Sequence, residues 1–164
     1  MNAPTLNITT PTDTSIVMTR AFRAPRALVW QAMTDPAKLR RWMFAPPGWT
    51  MTTCEFDPRV GGAYRWAWKT EQADPMMVIH GVMTEVLPPE RITHTQVMEM
   101  AGCGGEPATF TVRLELTESG GTTLLRLSLL FPSKQARDGA LMWGMERGME
   151  AGYAVLDRML AGGD

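Results

Sequence analysis

Two histidines, His80 and His94, stand on neighbouring stretches of alternating sequence, with Glu85 and Glu99 close by in the chain. Such groups do acid–base work only when they point into one pocket within hydrogen-bond reach. The loop between the two stretches leaves their register open, and paired strand histidines are as readily ordinary sheet residues. Glu85 is the carboxylate that, buried in a cavity, would carry a raised pKa or anchor a polar group of a ligand. The stretch AYRWAWK (63–69) sets Tyr64, Trp66 and Trp68 on one face and Arg65, Ala67 and Lys69 on the other. Aromatics in such a row are rigid apolar walls with a polar handle, equally suited to lining a cavity and to filling a core. Trp42, Phe44 and Trp49 bracket the loop APPGW (45–49), where they would frame a cavity mouth or staple the loop locally.

Other chemistries lack their residues. Cys54 and Cys103 are too far apart for a metal or redox spacing, and no three or four ligands recur at zinc spacing. There is no nucleophile elbow, P-loop or dinucleotide fingerprint, and the Gly-rich AGCGGEP (101–107) joins strands as a loop. No cofactor is expected. Arg20, Arg23, Arg26, Lys38, Arg40 and Arg41 gather charge near the N-terminal helices and read as a solvated face.

The elements that must hold these residues follow from turn chemistry and alternation. SIVMTRAFRA (15–24) is a first strand; Ala24-Pro25 opens a short helix, and Asp35-Pro36 caps a second one that runs to about Trp42. Six further strands follow, as TMTTCEF, AYRWAWK, MMVIHGVMTEVL, RITHTQVME, ATFTVRLELT and TTLLRLSLLF, punctuated by DPRVGG, PPE and ESGG. Phe110, Val112, Leu114 and Leu116 share a face, and Leu125, Leu127, Leu129 and Phe131 share its partner's. Pro132-Ser133 ends the sheet and starts a long helix to about Leu160. The fold class is therefore α+β, one curved antiparallel sheet of about seven strands packed on a long C-terminal helix. Residues 1–14 read as a disordered lead-in and 15–164 as one domain.

In the last helix Met145, Met149, Tyr153, Leu156 and Leu160 fall on one arc with Met142. Glu146, Arg147, Glu150, Asp157 and Arg158 fall opposite. Those charges exclude a membrane span. Gly144, Gly148 and Gly152 recur along the edge of the arc, where sheet, subunit or ligand would come close. A chain of 164 residues with 45% hydrophobic content, 20% charged content and a net charge of −1 is ordinary for a globular domain. That balance argues against nucleic acid or an anionic membrane as partner. The cysteine usage and the N-terminus, which lacks the pattern of a secretory signal, make a cytoplasmic location the default. Fourteen methionines and six tryptophans are the unusual part of the composition, and methionine packs adaptably at binding surfaces as well as in cores.

TRAFRAPRALVWQAMTDPAKLRRW, CEFDPRVGGAYRW, GVMTEVLPPERITHT and FPSKQARDGALMWGMERGME together resemble the proteins named after the activator of heat-shock protein 90 ATPase, within the START-like superfamily. The resemblance spans roughly residues 16 to 160. It implies a helix-grip fold, with the sheet wrapped round the C-terminal helix and a cavity between them. Relatives commonly carry an aromatic where this chain has Met149, with Tyr153 one turn on, so their ligand preferences do not transfer. The leading expectation is a binder of a small, largely apolar molecule, lined by Trp42, Phe44, Trp49, Tyr64, Trp66, Trp68, Glu85, Phe110, Met145, Met149 and Tyr153. A co-chaperone that stimulates the heat-shock ATPase, in a stress response, is a second reading. A cyclase or hydrolase using Glu85 or a histidine is a third. A homodimer stays open; nucleic acid and membrane insertion are not expected.

Overall fold

The computed structural model describes residues 5–43, 46–102, 107–142 and 144–162. The elements run β1 (Asn7–Thr9), β2 (Ser15–Phe22), α1 (Arg26–Thr34), α2 (Pro36–Trp42), β3 (Thr50–Phe56), β4 (Ala63–Lys69), β5 (Met77–Leu87), β6 (Arg91–Met100), β7 (Ala108–Ser119), β8 (Thr122–Leu130), α3 (Lys134–Met142) and α4 (Met145–Leu160). All strands join one antiparallel sheet in the order β1-β2-β8-β7-β6-β5-β4-β3. This is the expected α+β helix-grip architecture. Among the described residues no helix is long and apolar enough to cross a membrane.

Alternation sets the inner face. Ile16, Met18 and Phe22 of β2 pair with Leu129, Leu127 and Thr123 of β8, and Leu129, Leu127 and Leu125 pair in turn with Val112, Leu114 and Leu116 of β7. Most of these side chains are fully buried, and they form one core with Val29 and Met33 of α1, Leu39 and Trp42 of α2, and Tyr153 and Leu156 of α4. Asp35 caps α2 as its sequence predicts, its Oδ1 accepting from Ala37 N at 3.0 Å.

The strand count is corrected to eight. The eighth strand, β1, lies in the segment expected to be a disordered lead-in, and its residues pair with Val17, Met18 and Thr19. Side chains also tie this segment down. Leu6 N donates to Glu150 Oε2 at 2.9 Å, and the buried Arg137 of α3 donates to the Thr12 carbonyl at 2.7 Å.

The single long terminal helix is corrected to two. Gly144 takes φ 69° and ψ 29°, a left-handed conformation that ends one helical run and precedes the next. Of the three recurring glycines it alone is exposed and breaks the helix, while Gly148 and Gly152 are buried within α4. Their burial inside one chain takes them out of any subunit seam. The backbone of α4 comes closest to α2 and α1 rather than to the strands. Met142, before the break, is 86% exposed instead of lying on the apolar arc.

A further correction concerns charge. Arg20, expected on a solvated face, is 2% exposed. It occupies the inner-face position of β2 between Met18 and Phe22, and its guanidinium reaches two carboxylates of α4. Nη2 lies 3.0 Å from Glu150 Oε1 and 2.8 Å from Asp157 Oδ2; Nε and Nη1 make further bonds to the same two groups at 3.1 and 3.0 Å. Glu150 and Asp157 sit two turns apart, so the helix presents both to one strand residue, not to solvent. Phe22 and Tyr153 flank the cation at 4.9 and 5.7 Å. Burial works against the charge, and the hydrogen bonds and ion pairing with Asp157 and Glu150 overcome it, so the Arg20 pKa is pushed up.

Replacing Arg20 with Met keeps bulk but strands two carboxylates. It is expected to cost about 2–4 kcal/mol in urea unfolding, at or below the range for fully buried pairs because each acid stays partly solvated. Adding Glu150→Gln and Asp157→Asn to that variant should recover part of the loss. An Arg20→Met protein as stable as wild type would contradict the assignment.

Candidate functional site

The aromatic row of β4 faces inward with its partners. Tyr64 pairs with Phe56 of β3 and Gly81 of β5, Trp66 pairs with Cys54 and Ile79, and Trp68 pairs with Met51 and Met77. Trp66 stacks on Phe56 at 6.2 Å and 5°, and lies 4.8 Å from Tyr64. Trp68 and Tyr64 are almost wholly buried, whereas Trp66, Ile79, Met145 and Met149 keep part of their surface although they belong to the inner clusters. The wall is therefore packed at its ends and looser at its middle.

A polar patch sits in that wall, made by a local opening between β5 and β6. Pairing runs to His80↔Val97, resumes at Met83↔His94, and shifts by one residue before Glu85↔Thr93. In the opening Val82 N turns to Thr95 Oγ1 at 3.0 Å. The Thr95 carbonyl accepts from Tyr64 Oη at 2.8 Å and meets His94 Nδ1 at 2.9 Å. Because a carbonyl only accepts, this contact puts the proton of the neutral ring on Nδ1 and leaves Nε2 as an acceptor. Nε2 has no hydrogen bond to any described residue. Tyr64 reaches the carbonyl by lying across Gly81, where a Cβ would collide with the Thr95 carbonyl and stand 2.9 Å from the Tyr64 ring. The ring of His94 meets Tyr64 edge-on at 4.7 Å, and Gln96 Oε1 lies 3.4 Å from Tyr64 Oη.

Burial sets the electrostatics of this patch. It pushes the Tyr64 phenol far above its usual range, so the group stays a neutral donor. It lowers the His94 pKa, partly offset by the Thr95 carbonyl, and keeps the ring neutral. The Trp66 Nε1–H is buried without a hydrogen-bond partner among the described residues. An unmet buried donor costs about 1–3 kcal/mol.

The remaining predicted site residues scatter. Glu85 does not face the wall: the one-residue shift turns it to the opposite face, where Arg91 Nε and Nη2 bind its carboxylate at 2.8 and 3.0 Å and Thr93 Oγ1 donates at 3.1 Å. Arg91 chiefly holds its pKa below the usual range, the reverse of the raised value a buried base would show. His80 shares the outer face with Glu99, 3.8 Å away, so His80 and His94 lie on opposite sides of the sheet and form no dyad. Trp42 is not at a cavity mouth; its Nε1 donates to Ala32 O at 2.8 Å and its ring stacks on Tyr153 at 5.6 Å. Trp49 borders an open surface cleft of about 720 Å³ with Lys69, Thr70 and Glu71. Phe110 stacks on Phe131 in the core at 4.6 Å. Phe44 and Cys103 lie outside the described residues. Sequence reasoning missed Gln96, Gly81 and the Thr95 carbonyl; the glycine inside an alternating strand was the available signal.

Comparison with known proteins places this geometry. The family model described as Activator of Hsp90 ATPase homolog 1-like protein matches residues 23–161. A crystal structure from Rhodobacter sphaeroides is 31% identical, with a TM-score of 0.84 over 96% of this chain and 98% of that one. Structures from Mycobacterium smegmatis and Nitrosomonas europaea share the fold at 22% and 21% identity, with TM-scores of 0.80 and 0.76. They cover 96% and 93% of this chain and 97% and 99% of theirs. No curated protein sequence matches.

Two outcomes follow for the patch. His94 binds a proton less readily folded than unfolded, so stability is unaffected above about pH 6.5 and falls as pH drops below it. His94→Gln should therefore flatten the stability curve between neutral pH and about pH 5, measured as wild type minus variant; parallel curves would show that His94 protonates freely in the fold. Gly81→Ala should destabilise by about 1–3 kcal/mol through overpacking and shift the Tyr64 ring resonances; an unperturbed variant would refute the close approach.

Proposed function

The chain belongs to the Activator of Hsp90 ATPase homolog 1-like family, and from that membership and the inner wall we propose that it binds a small, largely apolar molecule between the sheet and α4. The observation that carries the reading is the Trp66 indole N–H, buried in an apolar wall without a partner among the described residues. Folded chains rarely leave such a donor unmet without a reason, and an incoming oxygen supplies one. Around it the surfaces are those of a small-molecule site: mostly apolar and aromatic, with a few convergent polar groups. Met145 and Met149 of α4 are half-buried and packed against the same core. Their unbranched side chains allow the wall to accommodate a guest without moving the backbone.

Among the described residues His94 has no carboxylate partner at this wall. The carboxylates of Glu150 and Asp157 are engaged by Arg20, and Glu85 and His80 lie behind the sheet. Binding, rather than turnover, is the activity these residues support best.

The test is thermal unfolding with a panel of small apolar and amphiphilic molecules. A ligand at a hundredfold excess over its Kd stabilises the fold by about 2.7 kcal/mol, which for a chain of this size raises Tm by roughly 5–10 °C. A panel in which no compound moves the midpoint or perturbs tryptophan fluorescence would overturn the reading.

A further inference from the structure

Resting on that reading, we propose that the patch around Tyr64, Trp66, His94 and Gln96 is a subsite for an uncharged hydroxyl group, so that the chain selects neutral hydroxylated apolar molecules over carboxylates and over their hydroxyl-free analogues. Three independent features of the inner wall lead there.

The first is the polarity of the unpartnered groups. The Thr95 carbonyl takes the Nδ1 proton of His94, which leaves Nε2 as a lone pair facing no described partner. A lone pair demands a donor from the guest, and a carboxylate or an ether has none to give. The Trp66 Nε1–H is the complement: it demands an acceptor. Both rings pack on Tyr64, with centroids 4.7 and 4.8 Å from its own, so the lone pair and the N–H belong to one stretch of the wall. A hydroxyl is the smallest neutral group that donates and accepts.

The second is the state of the patch's own groups. Tyr64 Oη is committed to the Thr95 carbonyl at 2.8 Å. Gln96 Oε1 lies 3.4 Å away beside it, and the single phenol proton goes to the shorter bond. His94 is held neutral by burial, so it offers no positive charge to an acid.

The third lies across the core. Arg20 is the cation that reaches the inner face of β2, and its fork is shared between Glu150 and Asp157. One guanidinium facing two carboxylates has no charge left for an anionic guest, and the two acids repel one. Sites built to bind a hydroxyl discriminate sharply against analogues lacking it, because buried polar groups are then left unpaired.

A matched set on one apolar body tests this: 2-naphthol, 2-methoxynaphthalene, naphthalene and 2-naphthoate, titrated against wild type by tryptophan fluorescence and calorimetry. The expected order has 2-naphthol tighter than the methoxy compound and the hydrocarbon by roughly tenfold, with 2-naphthoate weakest. His94→Phe should abolish the preference for 2-naphthol over 2-methoxynaphthalene. Equal binding of 2-naphthol and 2-methoxynaphthalene, or tighter binding of 2-naphthoate, overturns the subsite while leaving apolar binding intact. Failure of all four to bind overturns the binding reading and the subsite with it. Because the comparison runs on wild type, the outcome does not depend on the variant folding.

Discussion

Arg20 is the constraint on which the rest of the structure hangs. It stands where the alternation of β2 calls for an apolar side chain, and it survives burial only because α4 brings Glu150 and Asp157 to it. A buried cation without such partners would be far more costly than the hydrophobic contacts around it could offset. The pairing therefore fixes the height and rotation of α4 over the sheet. Glu150 extends the link to β1 through Leu6 N, so one charge cluster registers the N-terminal strand, the second strand and the terminal helix against each other. Tyr153, sandwiched between Phe22, Trp42 and the guanidinium, completes the junction.

With that end of the helix pinned, the character of the opposite end of the inner face follows. The β3–β4–β5 region lies far from the charge cluster in the sheet order, and there the packing loosens around Trp66 and Ile79. The opening at Gly81 and Thr95 gives this region its polarity. One carbonyl released from the ladder orders Tyr64 and His94 together, and it does so through backbone geometry that no side-chain substitution on the wall would reproduce. Rigid sheet, fixed helix and adaptable methionines are a combination suited to holding a guest.

Much of this was legible in the sequence, for physical reasons that name its limits. Alternation in β7 and β8 is strict, so faces and partners followed directly from Phe110–Leu116 and Leu125–Phe131. The Asp35-Pro36 cap was equally plain, because the Oδ1 bond to Ala37 is local. The inward row of Tyr64, Trp66 and Trp68 followed from period two. Glu85 was misplaced because a single-residue shift inverts every side chain beyond it, and the compensating bonds lie on another strand. Arg20 was misread as surface because charge was weighed by composition; its position in the row Ile16, Met18, Arg20, Phe22, with two acids seven residues apart on an amphipathic helix, carried the signal. The helix break hid in the glycine repeat, where Gly144 looks like Gly148 and Gly152 until φ is known.

The measurement that bears most directly on the inner wall as binding surface is the set of indole N–H resonances of the six tryptophans, followed by nitrogen-correlated NMR during titration with a stabilising ligand. The Trp66 resonance is expected to move downfield as its proton gains an acceptor, while that of Trp42, already bonded to Ala32, stays in place. A titration in which Trp66 is silent and Trp49 responds would put the ligand in the surface cleft and contradict the account.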